Sequence, residues 1–282
     1  MRDSFTLPDA NVLISFSGGR TSAFMLYKIL EAHQFSLPDR CKVVFANTGR
    51  EMPETYEFVQ RCSDEWDVPV TWLEYDRVLN DCTNKYDQTF DVVNHNSASR
   101  QGEPFEKLIE KKGSLPDALQ RWCTVELKVL TIKRYLRSLG WTHWINTIGI
   151  RADEQHRVKV SPEKFYDNWY PLVDAMQTKH HVMAFWKQHS FDLKVTPGFG
   201  NCDGCFLKSE KNIASLWRLH PERATWWMDL EEKSHGKRNQ HKSFFKNKTY
   251  KGIGDFVSRQ GDWIFDTEGV LCQADDGECT GQ

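Results

Sequence analysis

The residues most able to do chemistry fall into four groups. The first is Ser15-Phe16-Ser17-Gly18-Gly19-Arg20-Thr21-Ser22. Two adjacent glycines permit positive φ, so successive backbone N–H groups can turn inward on an anion. The hydroxyls of Ser17, Thr21 and Ser22 add donors, and Ser15 and Arg20 flank them. The Gly-Lys-Ser/Thr ending of a Walker loop is missing, so this is a phosphate cradle of another kind. The second group is Cys202-Asp203-Gly204-Cys205 in a glycine-rich loop. A Cys-x-x-Cys pair suits two positions of one metal centre, or a redox disulfide. The third is Arg151 and Arg157 behind a strand-like run, where forked donors could clamp phosphate or sulfate oxygens. The fourth is the basic stretch 233–251, in which Lys and Arg alternate with Phe244, Phe245 and Tyr250. Cations and aromatics so interleaved suit DNA or RNA, the cations meeting phosphates and the rings stacking on bases; a solvated charged face is the plainer reading.

The elements that must position these groups can be read from patterning. Val12–Phe16 is a short apolar run that reads as a buried parallel strand, and Ala23–Leu30 reads as a helix. The phosphate cradle therefore lies at a strand-to-helix turn, at the positive end of the helix. Lys42–Ala46, Pro69–Leu73 and Trp144–Ile150 read as further strands, with a proline-started helix over Pro53–Trp66. Strands alternating with helices predict an α/β, Rossmann-like, doubly wound parallel sheet. Residues 76–120 show no firm pattern and are expected to form a flap. A soft boundary near residue 175 separates a nucleotide-binding domain, 1–175, from a Cys- and Trp-rich extension, 176–282.

Composition bounds the function. With 39% hydrophobic and 27% charged residues, the chain can build a packed core and is not expected to be disordered. A net charge of −2 leaves any nucleic-acid contact to a local patch. No apolar run is long enough to span a membrane and no leader is visible, so a cytoplasmic protein is expected. In that compartment the eight cysteines are expected to be free, catalytic or metal-bound. The Trp-rich second half suits core packing and a subunit interface, with a homodimer as one expected assembly.

Ser17-Gly18-Gly19-Arg20-Thr21-Ser22 after a first strand resembles the pyrophosphatase loop of the adenine nucleotide α-hydrolase superfamily. Asn47-Thr48-Gly49-Arg50-Glu51-Met52-Pro53-Glu54-Thr55-Tyr56 resembles the Asp-Thr-Gly…Pro-Glu-Thr-Tyr signature of its phosphoadenylyl- and adenylyl-sulfate reductases, with Asn47 where the family usually has Asp. Gly149–Arg157 resembles their Gly-x-Arg…Glu…Arg segment. Tyr170–Asp174 and the helix through Trp186 resemble the stretch that closes their core. The resemblance implies that Ser15, Ser17–Ser22 and Asn47–Gly49 bind an adenine nucleotide, ATP or adenylyl sulfate. Cys123, Cys202 and Cys205 match cysteines that hold a [4Fe-4S] cluster in adenylyl-sulfate reductases, although Thr124 stands where those enzymes have a second adjacent cysteine. Cys272 and Cys279 are the candidates for a fourth ligand. Glu278-Cys279 also partly echoes the reductases' tail, which implies a nucleophilic Cys279, with Arg151 and Arg157 stabilising the leaving nucleotide and a thioredoxin-like reductant. The intact loop implies instead cleavage of ATP with Mg²⁺ and sulfur transfer to a nucleic acid. A different class of reading is a non-catalytic, metal-stabilised nucleic-acid binder.

Overall fold

The computed structural model describes residues 3–161, 163–235 and 243–259. Cys272, Cys279 and the basic residues Lys237, Arg238 and Lys242 lie outside the described residues. A six-stranded sheet runs in the order β4-β3-β2-β1-β5-β6. Its strands are β1 (Val12–Ser15), β2 (Cys41–Asn47), β3 (Val70–Asn80), β4 (Lys85–Val93), β5 (Trp144–Thr147) and β6 (Tyr166–Trp169). All neighbours are parallel except β3 and β4, which form an antiparallel hairpin. The expected α/β doubly wound sheet is therefore present, with one antiparallel edge. The chain winds outward from β1 to β3, then returns across β1 to β5. That reversal makes the β1/β5 boundary the switch point, where an open α/β sheet gathers ligands at the carboxyl ends of its strands.

Helix α1 (Arg20–Ala32) follows the glycine turn, and α2 (Pro53–Glu65) starts at a proline whose missing N–H costs nothing at a first helical position. Each buries one stripe, Ala23–Leu26 with Ile29 and Leu30 on α1, and Tyr56, Val59 and Cys62 on α2. Residues 76–120, patternless in the sequence, contain the end of β3, all of β4 and α3 (Glu103–Lys112). Their pattern is weak because the hairpin stands largely in solvent, so most of its side chains need not be apolar.

A continuous helical stretch follows, made of α4 (Trp122–Thr124), a π turn over Val125–Leu130, and α5 (Thr131–Ser138). The Thr131 hydroxyl donates to the Glu126 carbonyl at 2.8 Å, five residues back, which suits the widened turn. Such turns recur at functional sites. Next come α6 (Pro171–Asp174), α7 (Lys179–Gln188), α8 (Glu210–Leu219), α9 (Pro221–His235) and α10 (Tyr250–Arg259). One hydrophobic core joins Phe24 and Met25 of α1 to Trp186 of α7, Ile213 of α8 and Trp227 of α9, so the core crosses residue 175 without a break. No described helix is long and apolar enough to cross a membrane.

Candidate active site

The glycine loop closes tightly. Gly18 has φ +79°, and a Cβ there would lie 2.7 Å from Thr55 Cγ2, so only glycine fits without movement. Ser17 Oγ and Ser22 Oγ are 2.9 Å apart, and Ser22 Oγ donates to the Gly19 carbonyl at 3.0 Å. Gly19 caps α1 with an extended backbone and no side-chain hydrogen bond, which leaves the first amides of α1 directed at the loop mouth. After β5, Gly149 passes so close to α1 that a Cβ would sit 3.2 Å from Ser22 Cα. That crossing ends the strand at Thr147, earlier than the apolar run to Ile150 suggests. It also brings Arg151, buried, to Thr21, to whose hydroxyl its Nη1 donates at 3.2 Å. Arg151 and Arg157 both pair with buried Glu154.

Beneath the loop a crevice opens between the sheet and the π turn. It is lined by Leu13, Ser15, Phe16 and Ser17 from β1 and its turn, Val44 and Ala46 from β2, Trp144 and Asn146 from β5, and Lys128 and Ile132. Its walls are apolar and aromatic, with the Ser15 hydroxyl tied to Asn146 Oδ1 at 2.8 Å. Apolar, aromatic walls with a few polar groups are what small-molecule sites generally have.

The turn after β2 is a buried polar knot. Asn47 donates from Nδ2 to Glu74 Oε1 at 2.6 Å and to the Ser99 carbonyl at 2.8 Å. Its Oδ1 accepts from the Gly49 amide at 2.9 Å and the Tyr56 hydroxyl at 3.1 Å. The side-chain amide of Asn47 is thus fully hydrogen-bonded within the protein and shapes the turn. Burial pushes the Glu74 carboxyl up, while hydrogen bonds from Ser99 and Asn47 oppose the rise. Thr48 binds Glu51 through its amide at 3.1 Å and its hydroxyl at 2.9 Å, and lies 3.3 Å from Cys202 Sγ.

Cys123, Cys202 and Cys205 line one chamber with Thr48, Thr124, Lys128 and Trp227. Cys123 belongs to α4, whereas Cys202 and Cys205 hang on a loop joined to the Thr48 turn by an isolated bridge between Glu51 and Cys202. That loop is pinned by Asp203. It accepts from Arg50 Nη2 at 2.8 Å, from Trp227 Nε1 at 2.8 Å, and from Arg223. Arg50 is fully enclosed, its guanidinium 4.4 Å from the centre of the Trp226 ring. Lys208 secures the loop's other side by donating to the carbonyls of Gly198 at 2.6 Å and Gly200 at 2.7 Å. Burial, then the neighbouring Glu51, pushes the Cys202 thiol up to about 12. Burial, then Cys202, does the same for Cys123. Among the described residues, no group of three or more His, Cys, Asp or Glu is arranged to hold a metal ion.

Other expectations fare differently. Arg20 turns away from the loop and forms a two-point ion pair with Asp192, at 2.7 and 2.9 Å. Phe244 and Tyr250 are core residues rather than stacking platforms, and Lys248 and Lys251 are paired with Glu210 and Glu232. Cys41 and Cys62 are buried away from the chamber, and Cys82 is exposed at the hairpin. Sequence reasoning gave no role to Lys128, the side chain common to the crevice beneath the glycine loop and the cysteine chamber. It also missed the Arg50–Asp203–Arg223 cluster. The Asp between the two cysteines was its one visible signal, since nothing in the spacing ties Arg50 to Arg223.

Comparison with known proteins adds the family. An uncharacterized nin region protein of Escherichia phage lambda, ORF290, is 34% identical over 206 residues, 71% of this chain and 67% of that protein. An uncharacterized protein of Methanocaldococcus jannaschii is 24% identical over 229 residues, 77% of this chain but 46% of its own length, so the chain spans under half of that relative. Among solved structures, phosphoadenylyl-sulfate (PAPS) reductase from Candida auris, in a phosphate complex, aligns with TM-score 0.39 and 17% identity, covering 67% of this chain and 76% of that one. The family model of the phosphoadenosine phosphosulfate reductase domain matches residues 11–194, a span that holds the glycine loop, the Asn47 turn, Cys123 and Arg151. On that match the chain belongs to the phosphoadenosine phosphosulfate reductase domain family of the adenine nucleotide α-hydrolase superfamily.

Proposed function

We propose that this family member binds ATP in the crevice under the glycine loop and uses it to activate an acceptor for sulfur transfer. The observation that carries this reading is Lys128, which walls both the nucleotide crevice and the three-cysteine chamber. A nucleotide and a sulfur centre would thus meet at one cation. In the proposed reaction an acceptor oxygen attacks the α-phosphorus of MgATP, and pyrophosphate leaves. Sulfide then displaces AMP from the adenylated acceptor. The amides at the start of α1, with Ser17 and Ser22, hold the departing phosphates. Arg151 holds Thr21 in place at the loop's edge.

In this reading Cys123, Cys202 and Cys205, which line one chamber, would be the holders of a [4Fe-4S] cluster, although the described residues are not gathered around a metal ion. Such a cluster would supply an iron position at which sulfide is carried. A fourth protein ligand would have to come from Cys272 or Cys279, outside the described residues. The Asp203 cluster and Lys208 hold the Cys-x-x-Cys loop in shape beforehand.

The reductase match itself favours a second reading, in which Cys279 attacks the sulfur of an adenylyl sulfate, AMP or its 3′-phosphate leaves, and a thioredoxin-like dithiol releases sulfite. Anaerobic purification with iron, sulfide and visible absorption analysis comes first. Pyrophosphate release from ATP, with and without RNA or DNA, is then compared with sulfite release from adenylyl sulfates. Pyrophosphate release that needs Cys123 and Cys202 supports sulfur transfer. Sulfite release lost in Cys279→Ser, without pyrophosphate release, replaces it with reduction.

A further inference from the structure

We propose that strand β4 joins its counterpart in a second copy of the chain, extending the sheet across a two-fold axis that passes at Gln88. This inference is independent of the proposed reaction. Among the described residues, strand β4 is the outermost of the sheet and pairs only with β3. Its outer edge therefore offers a row of backbone donors and acceptors, which proteins either protect or pair. Val78, Tyr86 and Val92 of the hairpin are each more than half exposed, at 57%, 51% and 61%.

The sequence Lys85-Tyr86-Asp87-Gln88-Thr89-Phe90-Asp91 is complementary to itself in one antiparallel register. Centred on Gln88, it sets Lys85 opposite Asp91, Tyr86 opposite Phe90 and Asp87 opposite Thr89, each pair occurring twice. Opposite charges and aromatic pairs across strands are favourable, and like charges are not. The symmetry allows a register to move only one residue at a time, because facing side chains must share a face of the sheet. Centring on Asp87 sets Asp87 against itself. Centring on Thr89 sets Asp87 against Asp91. Of these three registers only the one centred on Gln88 avoids both, and it is the one two-fold register that sets Lys85 opposite Asp91.

The faces agree with this arrangement. Gln88 and Phe90 lie under α5, where Arg134 Nη2 donates to Gln88 at 2.6 Å and the rings of Phe90 and Tyr135 are 5.7 Å apart. Asp76, opposite Thr89, lies on the α3 side, where Lys107 donates to it at 2.6 Å. Asp91 shares that side, and burial, then the neighbouring Asp76, pushes its carboxyl up. Lys85 forms no ion pair among the described residues, so the Lys85 of a second copy would bring Asp91 the cation its own chain gives mainly to Asp76.

The test uses the full chain in sedimentation velocity across micromolar concentrations. The expected result is a dimer, reduced to monomer by Asp91→Lys and restored by Lys85→Asp with Asp91→Lys, which swaps the charges without changing their sum. In a Cys82→Ser background, Gln88→Cys should form a disulfide-linked dimer under mild oxidation, since the two copies of residue 88 face each other. A monomer throughout the concentration range would overturn the proposal. So would a dimer that survives Asp91→Lys, which would put the interface elsewhere.

Discussion

Asn47 explains its own departure from the family's Asp. Its Nδ2 donates to Glu74 at 2.6 Å, so an Asp there would set two buried carboxylates against each other. Asn47→Asp is expected to cost about 3 kcal/mol or more in urea unfolding, from lost donors and buried like charge. Adding Glu74→Gln should recover much of that, and simple additivity of the two changes would refute the account. Glu74 also predicts a pH dependence. Its folded carboxyl is raised above the ordinary value of about 4.3, so the folded state binds the proton more tightly than the unfolded state. Its contribution is full below the unfolded value and is lost as pH rises through the folded one. Replacing Glu74 with Gln should remove that fall, measured as unfolding free energy from pH 4 upward. At Gly18, alanine meets both a left-handed backbone, worth roughly 1–2 kcal/mol, and Thr55 at 2.7 Å. Gly18→Ala should lower the melting temperature and weaken ATP binding by ~10-fold or more in calorimetry.

Elements determine where the cysteines meet. The Cys-x-x-Cys loop reaches α4 and the Thr48 turn because Asp203 holds two arginines from different elements, Arg50 beside α2 and Arg223 on α9. Removing the carboxylate leaves both cations enclosed. Asp203→Asn should therefore cost about 3–5 kcal/mol, read by urea unfolding. In partially stable variants it should raise the rate at which Cys202 and Cys205 react with a chromogenic disulfide. An unchanged thiol rate together with lost stability would mean that the cluster supports the fold but not the chamber. The π turn acts at the same scale. A regular helix over Val125–Leu130 would rotate Lys128 relative to Cys123, and one side chain would no longer border both cavities.

At the scale of the molecule, the family match ends at residue 194 but the core does not. Trp227 of α9 packs on Phe105 of α3, with ring centres 5.5 Å apart, and donates to Asp203. Gly102 lies where a Cβ would meet the Trp226 ring at 2.3 Å, so α9 presses directly on the turn before α3. A chain cut after residue 194 should be insoluble or bind hydrophobic dyes strongly, because Phe105 would lose its cover by Trp226 and Trp227. A soluble, cooperatively unfolding 1–194 fragment would show the later helices to be a separate unit.

Much of this protein was legible in its residues. The strand–glycine turn–helix opening, the parallel sheet and the tight glycine loop follow from local chemistry, because a buried parallel strand must be apolar and a positive-φ turn pressed against α2 must be glycine. The cysteines that meet were also legible, through their resemblance to known ligand positions. The tertiary structure decided what depends on distant partners. It gave Arg20 to Asp192 and Asn47 to Glu74, turned Phe244 and Tyr250 inward, and stood Lys128 between two cavities. A side chain's type states which bonds it can make. Which partner it makes them with is set by elements far apart in the chain, whose packing no local spacing encodes.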